Sequence, residues 1–395
     1  MISDKMKILV NGSSAIRAMF EEGKRLATIH GKENVYDFSL GNPNVLPPDA
    51  IKKAVNDVLD DYAPSYIHGY MNNSGYEEAR AAIAGRYARD YGVQLAERNI
   101  IMTCGAAGGI NITFKSILNP GDEVIAFAPF FSEYGNYTAN FDAKLVVVPT
   151  QPESFDIDLT RFEAAITDKT RAVIINSPNN PSGVVYPDDT LRALAGVLEA
   201  AGQRYGKPIF LISDEPYREL VYDDIKLPFI PSIYRNTFII YSWSKTLSIP
   251  GERIGYVAVS DDMDGLDEVL PALNVANRIL GFVNAPSLFQ LVAARCLDES
   301  VDISVYKKNR DYLYDNLTAM GIQMNRPQGA FYLFPKAPGG DDIAFCNAAK
   351  EERILIVPGT GFGCKGYFRL AYCVDFATIE NSMDGFRRLA ARFVK

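Results

Sequence analysis

The sequence predicts an α/β protein in which a large domain with a mostly parallel sheet carries a smaller α+β domain. From about residue 99 to 260, short runs rich in β-branched and aromatic residues alternate with longer helix-like segments. These runs are apolar throughout, which indicates a sheet covered by helices on both faces. After about Leu288 the pattern changes to long helical segments mixed with shorter β-like pieces, which is typical of a separate α+β domain.

Seven strands are expected in the large domain, each bounded by turn residues or by a helical segment. The strands are Asn99–Thr103, Glu123–Phe127, Lys144–Val148, Arg171–Ile175, Pro208–Ser213, Phe238–Tyr241 and Ile254–Val259. Asp188–Tyr205 has the periodicity of an amphipathic helix, with Pro187 before it and Gly206 after it. The sequence therefore predicts a three-layer α/β/α domain around a seven-stranded, mostly parallel sheet.

The smaller domain is expected to combine the N-terminal arm with the C-terminal part of the chain. A long helical segment, Phe289–Met320, is interrupted near Asp302, and Thr378–Phe393 reads as a further helix. Three β-like pieces lie between them: Ala330–Phe334, Ile354–Val357 and Tyr367–Ala371. The predicted division is residues 46–288 for the large domain and residues 1–45 with 289–395 for the small domain.

Composition excludes several classes of protein. A chain of 395 residues with 48% hydrophobic composition can bury one large core and a second, smaller one. The net charge of -8 argues against nucleic acid as a general partner. The N-terminal apolar run, Met6–Val10, is too short for a signal peptide or a membrane span. We therefore expect a cytoplasmic protein that uses neither nucleic acid nor membrane.

Cysteine and histidine usage narrows the chemistry. The five cysteines are scattered without a Cys-x-x-Cys pair, so they fit neither a disulfide framework nor a zinc site. The two histidines lie outside metal-ligand spacing, and no metal is expected. Acid–base chemistry must then come mainly from Lys, Tyr, Asp or Glu, or from a cofactor.

The segment Tyr241–Arg253 carries the strongest chemical signal. It follows an apolar run and contains Ser242, Lys245 and Arg253. A lysine just past a buried strand is costly unless it has a partner or a covalent role. Forming a Schiff base with an aldehyde cofactor is such a role, and Ser242 and Arg253 would hold that cofactor's phosphate. The alternative is a lysine at an ordinary strand exit.

A turn of small residues, Thr103–Gly109, follows the first strand and leads into a helix expected to start near Ile110. Small residues let backbone N–H groups approach a phosphate, and a helix N-terminus favours negative charge. The alternative is an ordinary glycine turn before a helix.

Polar residues also follow two buried strands further on. In Asn176–Gly183, two prolines fix a rigid loop around Asn180, whose amide could hydrogen-bond a phenolic oxygen, although a turn-forming Asn is the alternative. Asp214 follows an apolar strand, and a protonated ring nitrogen would suit a carboxylate in such a dry site. A helix N-cap is the alternative for Asp214. Tyr217 places a hydroxyl nearby.

The order and spacing of these residues resemble the fold type I pyridoxal-phosphate enzymes, specifically the class I/II aminotransferases of the aspartate aminotransferase superfamily. The resemblance runs from Gly41 to Arg369. It implies an enzyme that moves the amino group of an L-amino acid to a 2-oxo acid such as 2-oxoglutarate; a donor of aspartate or aromatic type is favoured, and alanine is the alternative donor. A carbon–sulfur β-lyase shares the scaffold and is the alternative reaction. A non-catalytic cofactor-binding regulator is a further alternative, for which the N-terminal segment is too short to hold a DNA-binding domain.

The resemblance also implies roles for single residues around the cofactor. Lys245 matches the lysine that holds pyridoxal phosphate as a Schiff base and then moves a proton between substrate and cofactor. Asp214 matches the acid that faces the pyridine nitrogen, and Tyr217 and Asn180 match the pair that bonds the phenolic oxygen. Phe131 matches the aromatic residue stacked on the ring. The matching phosphate ligands are Ser242, Arg253 and the backbone of Gly105, Ala106 and Ala107, where the family often has a hydroxyl in place of one alanine.

Substrate and subunit contacts are implied in the same way. Arg369 matches the arginine that clamps the substrate α-carboxylate, a two-point task that suits guanidinium. Gly41 and Asn180 line the same carboxylate pocket. Tyr70 resembles the tyrosine that reaches the phosphate of a neighbouring subunit, which implies a homodimer. Arg278 lies near the side-chain arginine of some dicarboxylate-specific members, with a solvated arginine as the alternative.

Overall fold

The chain's structure is a computed structural model that describes residues 1–11, 15–93 and 95–394; positions 12–14, 94 and 395 lie outside the described residues. Its helices are α1 Asp4–Asn11, α2 Ala15–His30, α3 Asp49–Asp61, α4 Pro64–Ile67, α5 Glu77–Tyr91, α6 Gly105–Ile117, α7 Glu133–Ala139, α8 Leu159–Ala165, α9 Asp188–Tyr205, α10 Trp243–Thr246, α11 Leu266–Ile279, α12 Ser287–Arg295, α13 Ile303–Ala319, α14 Asp342–Glu351 and α15 Phe376–Phe393. Its strands are β1 Tyr36–Asp37, β2 Ile100–Cys104, β3 Glu123–Ala128, β4 Lys144–Pro149, β5 Thr170–Asn176, β6 Phe210–Asp214, β7 Thr237–Ser242, β8 Ile254–Val259, β9 Tyr332–Leu333, β10 Ile354–Leu355, β11 Val357–Pro358 and β12 Phe368–Ala371.

The central sheet has seven strands in the order β2-β8-β7-β6-β5-β3-β4. β3 to β7 pair in parallel, whereas β8 is antiparallel to both β2 and β7. The predicted mostly parallel, seven-stranded sheet is therefore confirmed. Each strand overlaps the segment predicted for it, although β2 begins at Ile100 rather than Asn99 and β6 at Phe210 rather than Pro208.

Helices cover both faces of this sheet. Along β7, Phe238 and Ile240 point into one apolar cluster, which also receives side chains of α6 and α11. Ile239 and Tyr241 point to the other face, where side chains of α3, α5 and α12 pack. Successive side chains of a strand alternate between faces. Since both sets are buried and apolar, the strand reads as a continuous apolar run, as the sequence predicted.

Helix α6 begins earlier than expected. The sequence predicted a start near Ile110, but α6 begins at Gly105, directly after β2. The preceding glycines have low helix propensity, which is why the pattern favoured the later start. They are needed for close packing instead, because a Cβ on Gly109 would lie 3.0 Å from Ile240 and 3.2 Å from Val257.

The C-terminal part of the chain builds a second core. β9, β11 and β12 form an antiparallel sheet, and β1 of the N-terminal arm pairs in parallel with β10. The predicted interruption near Asp302 is present, since the Asp302 carboxylate caps α13 by accepting from the Ser304 N–H at 2.9 Å. Helix α12, before this break, packs against α3 and α5. The predicted boundary between domains at residue 288 stays a prediction.

Two features of this topology position the functional site. The carboxyl ends of β2, β3, β5, β6 and β7 meet at one edge of the sheet, and the antiparallel β8 brings its amino end to the same edge. The segment that follows β1 connects this edge to the smaller sheet, because the Phe38 carbonyl accepts from the Ala371 N–H at 2.8 Å and the Val45 carbonyl from the Ser248 hydroxyl at 2.5 Å. Among the described helices, none combines the length and apolar character that a membrane crossing requires.

Candidate active site

A cavity of about 380 Å³ opens at this edge of the sheet, between the strand ends and the smaller sheet. Its walls contain most of the residues that the sequence singled out. These are Gly41, Ala106, Ala107, Phe131, Asn180, Asp214, Tyr217, Ser242, Lys245, Arg253 and Arg369. Residues far apart in sequence are therefore brought to one site, as strand ends in an open α/β sheet predict.

Lys245 lies on the single-turn helix α10 at the end of β7. Ser242 caps this helix, its hydroxyl oxygen accepting from the Ser244 N–H at 3.2 Å. The Lys245 ammonium nitrogen donates to the Gly41 carbonyl at 2.7 Å and lies 5.4 Å from the centre of the Phe331 ring. The pKa of Lys245 is lowered to about 8, mainly by burial; Cys373 opposes this shift, and the guanidinium groups of Arg369 and Arg253 contribute to it. A neutral, nucleophilic amine is thus accessible near neutral pH.

Asp214 ends β6 and is buried. Its Oδ2 accepts from the Tyr134 hydroxyl at 2.6 Å, whereas its Oδ1 is buried without a hydrogen-bond partner. The pKa of Asp214 is raised to about 7, mainly by burial; the Tyr134 hydrogen bond opposes this shift, and the charge of Glu215 adds to it. A buried polar atom without a partner is costly, so this oxygen is suited to a donor supplied by a ligand.

Asn180 is held in place through Asn176. The Asn176 amide donates to the Asp214 carbonyl at 2.7 Å, and its Oδ1 accepts from the Asn180 N–H at 2.7 Å. The Asn180 Oδ1 then accepts from an Arg369 guanidinium N–H at 3.1 Å. The loop after β5 therefore supports both the acid and the arginine.

Arg369 is fully enclosed at the opposite wall of the cavity. Its second amino group donates to the Ser39 carbonyl at 2.6 Å, and its guanidinium lies 4.7 Å from the Tyr332 ring centre and 4.9 Å from that of Phe362. Its Nε is buried without a partner. Burial lowers the pKa of Arg369, yet guanidinium stays protonated in proteins. A buried cation with neutral partners is an anion-binding group, and carboxylate matches its fork geometry.

A second positively charged part of the cavity lies where β2 meets β8. Gly105 adopts a φ of 68°, and a Cβ at this position would come within 2.7 Å of Arg253 Nη2. Arg253 directly precedes β8, so the antiparallel direction of that strand is what places it beside the start of α6. The first amides of α6, the Ser242 hydroxyl and the Arg253 guanidinium form a cradle that suits a phosphate.

Three tyrosines at this site were not predicted from the sequence. Tyr134 bonds Asp214, Tyr137 lines the cavity, and the Tyr332 hydroxyl lies 3.0 Å from that of Tyr217. Tyr332 also explains why position 41 is a glycine, because a Cβ at this position would lie 1.9 Å from the Tyr332 hydroxyl oxygen. These partners are distant in sequence, and no local pattern marks them. Only the three-residue spacing from Phe131 to Tyr134, typical of one helix face, offered a signal.

Two residues singled out in the sequence lie elsewhere. Tyr70 is 94% exposed and does not line the cavity of its own chain. Arg278 is exposed near the end of α11 and is likewise absent from the cavity wall. Neither position tests the roles that the resemblance implied, which stay predictions.

The residues present fit pyridoxal phosphate. The orphaned Asp214 oxygen suits a ring N–H, Phe131 supplies an aromatic wall, and the cradle at Arg253 suits the phosphate. Lys245 lies in the same cavity and offers an amine to an aldehyde. The fold and this cavity are those of a fold type I pyridoxal-phosphate enzyme.

Comparison with known proteins identifies the family. Residues 33–386 match the family described as aminotransferase class I and II, and the chain belongs to it. It is 32% identical to a probable aspartate aminotransferase of Methanocaldococcus jannaschii, over 97% of this chain and 98% of that protein. A crystal structure of an aminotransferase from Eubacterium rectale superposes with a TM-score of 0.97 at 46% identity and covers all of both chains. Aspartate aminotransferase of Thermus thermophilus with maleate gives a TM-score of 0.86 at 26% identity, covering 98% of this chain and 99% of that one.

The predicted class of enzyme is therefore confirmed. The protein is a pyridoxal-phosphate-dependent aminotransferase whose substrates are amino acids and 2-oxo acids. The alternative carbon–sulfur β-lyase is not favoured by these relatives.

Proposed function

We propose that this aminotransferase transfers the amino group of aspartate or an aromatic L-amino acid to 2-oxoglutarate, with Lys245 holding the cofactor as a Schiff base. The observation that carries the proposal is the Lys245 amine, which is partly buried, lines the cavity and has a neutral carbonyl as its hydrogen-bond partner. The aspartate aminotransferase relatives support the donor. Maleate, named with the Thermus structure, is a small dicarboxylate and supports a dicarboxylic partner substrate.

Different residues of the chain would bind different parts of the cofactor. Bound pyridoxal phosphate supplies a ring that accepts electron density from the substrate Cα. Asp214 Oδ1 would accept from the ring nitrogen, and Tyr217 and Asn180 would bond the phenolic oxygen. The α6 amides, Ser242 and Arg253 would hold the phosphate, while Phe131 would cover the ring.

Two further groups act on the substrate. Arg369 would bind the α-carboxylate through its fork, and the absence of a side chain at Gly41 leaves room beside Tyr332. Fixing the carboxylate orients the Cα–H bond for proton removal. The incoming amino group of the substrate would displace the Lys245 amine from the cofactor. The freed amine would then take the proton from the substrate Cα and deliver it to the cofactor. Its lowered pKa keeps the neutral, basic form available.

We further propose a cytoplasmic homodimer in which Tyr70 of each chain reaches the partner's phosphate site. Support comes from Tyr70 itself, which is 94% exposed although tyrosine side chains are typically intermediate in burial. A partner surface would cover it.

Borohydride reduction followed by peptide mapping tests the role of Lys245. Reduction would fix the cofactor to the lysine that holds it, and we expect the label on the peptide that contains Lys245. Lys207, which lies near the sheet's opposite edge, serves as the internal control and should remain unlabelled. A label on any lysine other than Lys245 would refute the assignment.

A panel of amino donors tests the substrate. Aspartate, phenylalanine, tyrosine and alanine would be compared with 2-oxoglutarate as acceptor, by the change in cofactor absorbance. We expect aspartate or an aromatic donor to give the highest kcat/KM. Highest activity with alanine would overturn the proposed donor class while leaving the enzyme class intact.

A further inference from the structure

Tyr134 is a buried side chain that the proposed function leaves without a role. It lies in the first turn of α7, is 1% exposed, and donates its hydroxyl proton to Asp214 Oδ2 at 2.6 Å. The two residues are separated by 80 positions, so the contact is a product of the tertiary fold. Hydrogen bonds to an ionised carboxylate are about twice as strong as those between neutral groups.

This bond makes the two oxygens of Asp214 unequal. Oδ2 is occupied by Tyr134, whereas Oδ1 is buried and has no partner. A carboxylate that rotated about its last bond would exchange the two positions. Because Tyr134 holds one oxygen, the unpaired oxygen has a fixed place, and Asp214 lines the cavity there.

Tyr134 is itself held rigidly by the turn that carries the aromatic wall. Its N–H donates to the Phe131 carbonyl at 3.1 Å, and its carbonyl accepts from the Thr138 hydroxyl at 2.7 Å. The Phe131 and Tyr134 rings meet edge to face, with centres 5.5 Å apart. One short segment therefore presents both a ring for stacking and a donor for the acid.

We propose that Tyr134 is a positioning residue that acts through Asp214, fixing which carboxylate oxygen receives the ring nitrogen of the cofactor. The inference rests on the proposed role of Asp214. It adds that the acid is aimed by the neighbouring tyrosine rather than by the cofactor alone. The hydroxyl also favours the ionised acid, because its hydrogen bond opposes the effect of burial on the pKa of Asp214.

A double-mutant cycle on cofactor affinity tests this. The full-length protein, freed of cofactor, would be titrated with pyridoxal phosphate as wild type, Tyr134→Phe, Asp214→Asn and the double variant. Losing a hydrogen bond to a charged group predicts a roughly tenfold higher Kd for Tyr134→Phe. In the Asp214→Asn background the same change should alter Kd by less than about twofold, since residues that act through one another are not additive.

The outcomes separate the two hypotheses. An equal rise in Kd in both backgrounds, or no rise with Asp214 intact, overturns the role of Tyr134. If Asp214→Asn alone leaves Kd unchanged, the proposed role of Asp214 fails, and the inference on Tyr134 fails with it. A tenfold effect confined to the background with Asp214 supports the inference.

Tyr234→Phe is the matched control. Tyr234 is also a buried tyrosine of the large sheet's domain, and its hydroxyl donates to the Ile209 carbonyl at 2.7 Å, away from the cavity. We expect this variant to keep the wild-type Kd. If Tyr134→Phe does not fold, Tyr134→His, which keeps a ring N–H donor, takes its place. Because imidazole donates from a different position than the phenol, this change should still raise Kd more with Asp214 present than in the Asp214→Asn background, and an equal rise in both backgrounds would again overturn the proposal.

Discussion

The cavity has two walls that bury opposite charges. On the sheet wall, formed by the strand ends, Asp214 is paired with the neutral Tyr134 hydroxyl. On the small-domain wall, Arg369 is paired with the Ser39 carbonyl and the Asn180 amide oxygen, which are also neutral. Neither Asp214 nor Arg369 takes part in a salt bridge among the described residues, and each side chain keeps one polar atom without a hydrogen-bond partner.

The difference between the walls indicates two ligands of different polarity. Burial raises the pKa of Asp214 to about 7 and lowers that of Arg369, so each charge is disfavoured until a complement arrives. On the sheet wall, the Oδ1 atom of Asp214 lacks a hydrogen-bond donor, and on the small-domain wall the Nε of Arg369 lacks an acceptor. A ring nitrogen and a substrate carboxylate supply these complements, with Lys245 in the same cavity.

Of the three substitutions or conditions that test the comparison between the walls, Arg369→Lys is expected to have the largest effect, on binding of the substrate carboxylate. Lysine keeps the positive charge but loses the planar fork, so two-point binding of a carboxylate is lost. We expect kcat/KM for the amino donor to fall about 100-fold, mainly through a higher KM, as for a lost charge-assisted bond. Steady-state kinetics measures the change.

The cofactor's Kd supplies the other half of this test. If the small-domain wall serves only the substrate, the Kd for pyridoxal phosphate should stay within about twofold of the wild-type value. Arg171→Lys, at a partly buried arginine over the Phe210 ring and outside the cavity, is the matched control. A large rise in cofactor Kd with unchanged KM would break the comparison between the walls.

Cofactor incorporation should depend on pH through Lys245. The attacking amine must be neutral, and the pKa of Lys245 is lowered to about 8, first by burial. Below that pH, most of the side chain is ammonium, so the second-order rate of incorporation should rise about tenfold per pH unit and level off above about pH 8. Mixing cofactor-free protein with pyridoxal phosphate and following absorbance measures this rate.

A simple alkylamine mixed with the cofactor over the same range gives the contribution of the cofactor's own ionisation. After that correction, a rate that keeps rising to about pH 10 would mean that Lys245 has the pKa of an exposed lysine. The sheet wall and the small-domain wall would then not enclose it.

The sheet wall could be predicted largely from sequence. Its strands are long and apolar on both faces, and the polar residues that end them converge because parallel strands share one carboxyl edge. Asp214, Asn180 and Lys245 were found in this way. Arg253 lies at the start of a strand, and it reaches the same edge only because β8 runs antiparallel.

The small-domain wall could not be predicted in the same way. Its strands are two to four residues long, too short to show a period. Arg369 was assigned through the family resemblance, and Tyr332 was missed because its partner, Tyr217, lies 115 positions away. Tyr134 was missed for the same reason. Long-range hydrogen bonds between tyrosines and their partners leave no local sequence pattern.

Tyr332→Phe is expected to have the smallest effect and gives the finest test of the comparison. Tyr332 contacts both walls, since its hydroxyl lies 3.0 Å from that of Tyr217 and its ring faces Arg369. Phenylalanine keeps the ring and removes the hydroxyl. One bond between neutral groups contributes about 0.5–1.5 kcal/mol, so we expect the cofactor's Kd to rise roughly threefold while KM for the amino donor stays unchanged.

Tyr332→Leu should then differ from Tyr332→Phe by raising KM as well, because the aromatic face that supports the Arg369 guanidinium is lost. Tyr372→Phe, at a buried tyrosine of the same core whose hydroxyl donates to the Ala330 carbonyl at 3.2 Å, controls for the loss of a buried hydroxyl. If Tyr332→Phe instead raised KM and left the cofactor's Kd unchanged, the hydroxyl would belong with the substrate's wall. The boundary between the two walls would then pass between Tyr217 and Tyr332.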